Sequence, residues 1–296
     1  MKIAISGASG LIGSHVAQAL AGEGHRVVRL VRRSVRTEDE IAWDGETPPP
    51  VGDCDAVVHL AGETIMGRWT AGKRARILES RRAGTRSIAA AVAAAPRPPV
   101  LVMASAVGYY GSRGDELLTE DSSPGSDFLA SVAAQWEQAA EAARAAGARV
   151  VALRFGMVLT PAGGALKQML VPFRLGLGGR IGSGAQWISW VALEDVVGAV
   201  LFALATPALS GPVNVVAPKP VTNADFTRVL GAVLHRPTIL KVPAAMVKLV
   251  FGEMGEALLL GSQRVVPSLL QASGYRFRHT ELEKALREML RGTSVP

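Results

Sequence analysis

The sequence predicts an α/β fold, a doubly wound parallel sheet with a small, mostly helical lobe added to it. Three observations carry this expectation. Short apolar runs alternate with helical stretches along most of the 296 residues. A glycine-rich turn joins the first run to the first helix. Hydrophobic residues make up 49% and charged residues 19%, enough for a core between layers and too little charge for a disordered chain or a coiled coil.

The elements follow in order. Lys2 to Ser6 is an apolar run, Gly7 to Gly13 a glycine turn, and Ser14 to Ala21 a helical pattern stopped at Gly22 and Gly24. Residues 26–31 read as a second strand, which completes a βαβ unit. Further strand-like runs lie at Ala56 to Leu60, Val100 to Ala104, Val150 to Leu153 and Val213 to Val216. Helical stretches fall between them at about residues 73–94, 129–146 and 193–205. That alternation predicts parallel strands covered on both faces. It weakens after Thr160, where glycines from Gly163 to Gly184 punctuate a Lys/Arg-bearing stretch, and from Pro218 the chain reads as mostly helical. The expected division is therefore residues 1–160 with 191–216 for the sheet domain, and 161–190 with 217–296 for the lobe.

Ser6-Gly7-Ala8-Ser9-Gly10-Leu11-Ile12-Gly13 places glycines at the first, fourth and seventh positions of a turn between strand and helix. Glycine suits positive φ there, and the lack of a Cβ lets a pyrophosphate approach the free N–H groups of Leu11, Ile12 and Gly13 at the helix start. Ser9 adds a hydroxyl. An ordinary glycine-rich turn is the alternative, but its place inside a βαβ unit favours dinucleotide binding. An NAD site would next offer a carboxylate to the ribose; here the second strand runs into Arg32 and Arg33. A guanidinium pairs with a 2′-phosphate, so NADP is the expected cofactor, against the alternative of a solvated basic strand end.

Composition narrows the partners. Cys54 is the lone cysteine, which excludes a disulfide framework and Cys-based zinc clusters and fits a reduced, cytoplasmic setting. The five histidines are dispersed, so no metal site is expected. The chain opens without a signal-peptide pattern, and its most apolar stretches are broken by charges, so no membrane partner is expected. The net charge of +7 is spread without basic runs among aromatics; it argues for a small-molecule substrate, an anionic one being favoured, and not for nucleic acid.

Taken together, the motifs resemble the extended branch of the short-chain dehydrogenase/reductase superfamily, the NAD(P)-dependent epimerase/dehydratase family. They run from the glycine turn through His59-Leu60-Ala61-Gly62, Ser105-Ala106-Val107-Gly108-Tyr109-Tyr110-Gly111 and Leu153-Arg154-Phe155-Gly156 to Trp190 through Val196. Gly62-Glu63, Trp136-Glu137, Pro172 to Gly179 and the tail from Gly252 to Phe277 are similar to an atypical epimerase-like subgroup with a C-terminal domain of unknown function. The resemblance implies a Rossmann-like domain with the lobe on the substrate side. It also implies that Leu60 and Ala61 pack beside the adenosine, that Arg32 reads the 2′-phosphate, that Arg81 approaches the cofactor from the side, and that Met157 sits near the nicotinamide carboxamide. Ser105 would end the strand beneath the nicotinamide.

The superfamily's proton relay is a Tyr activated by a Lys four residues on. The helix that should carry the pair places Phe128 and Val132 there, and neither side chain exchanges a proton. The tyrosines of the chain are Tyr109, Tyr110 and Tyr275, none with Lys four places later. The candidate catalytic residues are accordingly Ser105, Tyr109 and Tyr110, with Glu63 behind them, and aromatic packing is the alternative for the tyrosine pair. Lys167, Arg174 and Arg180 are candidates for an anion clamp or a solvated rim. Trp187 and Trp190 read as a stacking platform or as packing, and Asp195 as a structural helix-start carboxylate. Two functions stay open: an NADP-binding, epimerase-like oxidoreductase, or a catalytically silent NADP(H)-binding structural or sensor protein.

Overall fold

β1 (Lys2–Ser6) is buried from Ile3 onward, as an uninterrupted apolar run requires when both faces of its sheet are covered. It leads through the glycine turn into α1 (Leu11–Gly22) and back into β2 (Arg26–Val31), whose mixed exposure marks a strand nearer the edge. β3 (Glu40–Ala42), β4 (Ala56–His59), α2 (Ala71–Ala93), β5 (Val100–Ala106), β6 (Leu117–Leu118), α3 (Phe128–Gln138), α4 (Glu141–Ala145) and β7 (Val150–Phe155) follow. The remainder carries β8 (Met157–Leu159), α5 (Gly164–Arg174), β9 (Gly179–Ile181), β10 (Trp187–Ile188), β11 (Trp190–Ala192), α6 (Leu193–Ala205) and β12 (Gly211–Val215). It ends with β13 (Val221–Thr222), α7 (Asn223–Leu234), β14 (Leu240–Val242), α8 (Ala244–Gly255), β15 (Arg264–Val265), α9 (Ser268–Ala272) and α10 (Leu282–Leu290). The structure, a computed structural model, describes residues 1–291.

Seven strands form one parallel sheet in the order β12-β7-β5-β4-β1-β2-β3. The chain winds outward from β1 to β3, then returns to β4 on the other side of β1 and winds the opposite way. The switch therefore lies between β1 and β4, where Ser6 stands beside His59 at the carboxyl ends of the two strands. Open α/β sheets bind ligands in the crevice at such a point. α1 packs with α6, and α2 with α3 and α4, giving the two helical layers.

A second core lies among α5, α7 and α10, with Leu166, Leu170, Phe226, Leu230 and Leu286 buried in it. Of four short two-stranded pairs, β9 with β14 and β10 with β13 lie within this part, β8 with β11 extends the sheet part, and β6 with β15 joins the two. The tail is pinned by Asp195, whose carboxylate accepts the backbone N–H groups of Arg278 and His279 at 2.7 and 2.9 Å. Tyr275 donates to the Asp195 carbonyl, and Gly198 makes room for it, since a Cβ there would sit 2.5 Å from the phenol oxygen. Asp195 is thus a structural clasp.

Besides the short paired strands outside the main sheet, two elements differ from the sequence expectation. The helix expected over residues 129–146 breaks between α3 and α4, where the Arg144 guanidinium takes the Glu137 carbonyl at 3.0 Å. β3 was not anticipated, because three residues at a sheet edge carry no readable period. It is held from the side by the pairing of Glu40 with Arg33.

Candidate functional site

The glycine turn sits at the switch point, and each glycine answers to a contact. Gly7 has φ +72°, and a Cβ on it would lie 2.8 Å from the Leu60 carbonyl carbon. A Cβ on Gly13 would lie 2.1 Å from the Gly7 carbonyl oxygen, so α1 approaches the turn as closely as it does only without a side chain there. Gly10 donates to that same oxygen at 2.9 Å and starts α1. No side chain caps α1 and no acid lies in its first turn, whereas α2, α3 and α7 are capped by Thr70, Asp127 and Thr222. The N–H groups at Leu11, Ile12 and Gly13 remain available for anionic oxygens, with Ser9 exposed beside them.

Below the turn, Ser6 and His59 form a buried pair. The Ser6 hydroxyl accepts the N–H groups of Leu60 and Ala61 at 3.2 and 3.3 Å and lies 2.6 Å from His59 Nδ1. With its lone pairs taken, the hydroxyl donates to Nδ1, and the imidazole proton resides on Nε2. Nε2 has no hydrogen-bond partner, and the ring meets Trp43 edge to face at 5.8 Å. Burial lowers the His59 pKa to about 4. The pair fixes the Leu60-Ala61 backbone that the resemblance sets beside the adenosine.

The two arginines after β2 have different fates. Arg33 is consumed by Glu40, with contacts of 2.5 and 3.0 Å, and the Glu40 carboxyl is held below its usual range by that hydrogen bond and by the Arg36 amide. Arg32 is exposed and has no hydrogen-bond or ion-pair partner among the described residues. Its charge acts on Glu63, whose pKa is lowered first by the Lys73 hydrogen bond and further by Arg76 and Arg32. Glu63 is thus held by Lys73 at 2.7 Å. Arg81 turns inward: it donates to the Glu63 and Ile77 carbonyls at 3.0 Å and stacks on Trp136, and burial lowers its pKa to about 10. It latches the loop after β4 from inside. Met157 spends its N–H on the Ser189 carbonyl at 2.8 Å.

The three candidate catalytic residues converge on a buried network. Glu137, from α3, takes both arms of Arg154 at 2.8 Å and also accepts the Ser105 hydroxyl at 2.6 Å. Arg154 reaches the Tyr110 oxygen at 2.9 Å, and Tyr110 donates onward to Asn214 at 2.7 Å. Burial and these contacts make Tyr110 a beam of the framework: its ring is inaccessible and its pKa is raised by desolvation. Its proton is directed at Asn214 and away from the Tyr109 side. Ser105 likewise points its proton at Glu137. Tyr109 differs. It is half-buried, the Arg154 guanidinium lies 3.5 Å over its ring, and its hydroxyl has no hydrogen-bond partner among the described residues. Glu137 and Arg154, the centre of the network, were not singled out from sequence.

Beyond the head of α3, a cavity of about 650 Å³ opens between the sheet domain and α8. Phe128 and Trp69 form an aromatic wall, edge to face at 5.2 Å, with the Arg74 guanidinium 4.2 Å over Phe128. The charged groups of the wall are already satisfied: Glu253 pairs with Arg74 and Glu256 with Lys248, while Asp127 caps α3. Lys167, Arg174 and Arg180 do not line it. Trp187 donates to Asp115 under Arg264, and the fully buried Trp190 donates to the Lys219 carbonyl, so both indoles serve packing. Cys54 is a buried thiol pushed up to about 11 by burial.

Residues 3–216 match the NAD dependent epimerase/dehydratase family, and residues 242–289 match a domain of unknown function, DUF1731. The epimerase family protein Mb2239 of Mycobacterium bovis is 45% identical over 289 residues, covering 96% of each chain. The crystal structure of the human epimerase family protein SDR39U1 with NADPH superposes with a TM-score of 0.89 at 36% identity, over 99% of this chain and 100% of that one. A nucleoside-diphosphate sugar epimerase from Corynebacterium glutamicum superposes with a TM-score of 0.83 at 36% identity, over 98% of this chain and 58% of that one.

Proposed function

The chain belongs to the NAD dependent epimerase/dehydratase family, and from that premise we propose that it is an NADPH-binding oxidoreductase acting on a small molecule, with a proton donor other than the usual Tyr of a Tyr-x-x-x-Lys pair. The observation that carries the reading is the asymmetry at the end of β2: Arg33 is paired with Glu40 while Arg32 stands free beside the switch-point crevice. A carboxylate at this place would repel a 2′-phosphate; Arg32 pairs with it. The human relative crystallised with NADPH supports the same choice. The uncapped α1 terminus holds the pyrophosphate oxygens, Gly7 and Gly10 let them approach, and Leu60 and Ala61 flank the adenosine.

Bound there, the nicotinamide supplies hydride exchange with a carbon of the substrate. The chain must supply the matching proton. Tyr109 is the tyrosine next to Ser105 whose hydroxyl is uncommitted, while Glu137 and Arg154 hold Ser105 and the Tyr109 ring in place. The aromatic wall of Phe128 and Trp69 excludes water from one side of the cavity. Tyr109→Phe is expected to lower turnover of a carbonyl substrate by roughly a hundredfold or more with NADPH affinity kept. Tyr110→Phe is expected to cost about 1–3 kcal/mol of stability, because it unpairs buried groups. Steady-state kinetics beside denaturant unfolding separates the two, and turnover untouched by Tyr109→Phe removes it from the mechanism.

The cofactor assignment is tested by fluorescence titration with NADPH and NADH. Arg32→Ala is expected to weaken NADPH by roughly tenfold to a hundredfold and to leave NADH unchanged. Tighter binding of NADH by the unaltered protein refutes the assignment. A second reading, a silent NADP(H)-binding structural or sensor protein, is favoured by Phe128 at the head of α3 and by the Ser105 proton committed to Glu137. NADPH binding without oxidation across a broad carbonyl panel decides for it.

A further inference from the structure

The outer face of the C-terminal part is apolar beyond anything packing within the chain explains. α8 fills its inner side with Val247 and Met254, yet Met246, Val250 and Phe251 are exposed, and Leu249 is 83% exposed. Beside it Ile239, just ahead of β14, is 84% exposed. Val171, Leu175 and Leu177 continue the surface along and beyond α5. A helix face this apolar is ordinarily covered by a partner. The pieces are contiguous: β14 pairs with β9, Arg236 donates to the Arg174 carbonyl at 2.7 Å, and α8 follows β14 directly. A cleft of about 270 Å³ is shared by Gln168 of α5 and by Val250 and Phe251 of α8. An apolar expanse of this kind marks an interaction surface.

The charges identify what it meets. Residues 165–180 and 235–252 together hold Lys167, Arg174, Arg180, Arg236, Lys241 and Lys248 and no Asp or Glu, in a chain with 25 acidic residues. Carboxylates return only at Glu253 and Glu256, past the kink at Gly252, where they are paired with Arg74 and Lys248. A second copy docked through the same face would set these cations against themselves, which disfavours a symmetric dimer here.

We propose that this face seats on a bilayer surface containing anionic lipids. The aliphatic side chains of α8, β14 and α5 enter the boundary between headgroups and acyl chains, and Lys241, exposed in β14, meets the lipid phosphates with the basic side chains near it that no carboxylate holds. The contact is peripheral: α8 is 12 residues long, and no helix among the described residues is long and apolar enough to cross a membrane. The sequence expectation of no membrane partner considered only a span. Because α8 also supplies Ala244, Lys248 and Glu253 to the larger cavity, that cavity opens at the margin of the seated face.

The test is co-sedimentation of the full chain with vesicles of phosphatidylcholine alone and of an equimolar phosphatidylcholine–phosphatidylglycerol mixture. The expected result is binding to the anionic vesicles only, weakened by salt, lowered about fivefold by Lys241→Ala and abolished by Ile239→Glu with Leu249→Glu. NADPH titration of each variant reports that the fold is kept, since none of these residues lines the cavity or the glycine turn. Absence of binding to either vesicle, equal binding to both, or binding untouched by the variants overturns the proposal. So does a dimer in solution that Leu249→Glu converts to monomer, which would give the face to a second copy.

Discussion

Replacing Glu137 by alanine is expected to cost about 3–5 kcal/mol of stability, the range for removing one partner of a buried ion pair. The Arg154 side chain is 3% exposed and that of Glu137 12%, so water cannot take over the lost contacts. Burial works to lower the Arg154 pKa, but the Glu137 hydrogen bonds and charge outweigh it and hold the pKa above its ordinary range. Without Glu137 the largest opposing contribution to desolvation is gone, the guanidinium keeps its proton, and a charge is left with the Tyr110 oxygen and the Glu120 carbonyl as its hydrogen-bond partners. Ser105 loses its acceptor as well. The damage spreads because the network joins β5, α3, β7 and β12 through single side chains. Arg154→Met combined with Glu137→Leu, which removes both charges, should recover a substantial part of the loss. Urea unfolding with a two-state fit measures it. A Glu137→Ala variant within about 1 kcal/mol of the parent, the scale of an exposed pair, would mean the pair is hydrated and the network does not brace the site.

This network also shows where sequence reading stops. The glycine turn was legible because its chemistry is local: strand, three glycines and helix lie within 22 residues, and each glycine is needed against a neighbour close in sequence or across one strand. Ser105 and Tyr110 were legible as polar residues at a strand end, but not what they touch. Glu137 stands 32 residues from Ser105 and Arg154 another 17 beyond it, and only the pairing of β5 with β7 and the packing of α3 bring them together. The motif strings containing Glu137 and Arg154 were visible, yet a string does not say which of its members face each other. The distinction between Arg32 and Arg33 is of the same kind. It depends on Glu40, on an edge strand too short to be read, which takes one arginine and leaves the other. The apolar face of α8 was read as a helix with charges in it, and nothing in the sequence told which of its sides would find a partner.

Acidification from neutral pH should destabilise the protein before any ordinary carboxylate is protonated, and His59 is the reason. Its pKa is about 4 in the folded chain and about 6.5 when unfolded. Between those values the unfolded state binds a proton that the folded state refuses, so stability falls as pH falls, by about 3 kcal/mol across the window. Carboxylates with lowered pKa, such as Asp44 at about 2, have the same sign. They act only once pH nears their unfolded values of about 4, which leaves the upper part of the window to the imidazole. Asp195, pushed up by burial, works in the opposite sense and blunts the slope. The consequence is local as well as global. Nδ1 of a protonated His59 becomes a donor facing a Ser6 hydroxyl that already accepts two backbone N–H groups, so the Leu60-Ala61 backbone beside the crevice loses its anchor. The melting temperature should therefore drop from pH 7 to about 5, and NADPH affinity with it. His59→Asn should start lower at pH 7, since it loses the Trp43 contact, yet run flat over the same interval. A variant that keeps the full slope would transfer the acid sensitivity to other groups and separate His59 from the support of the glycine turn.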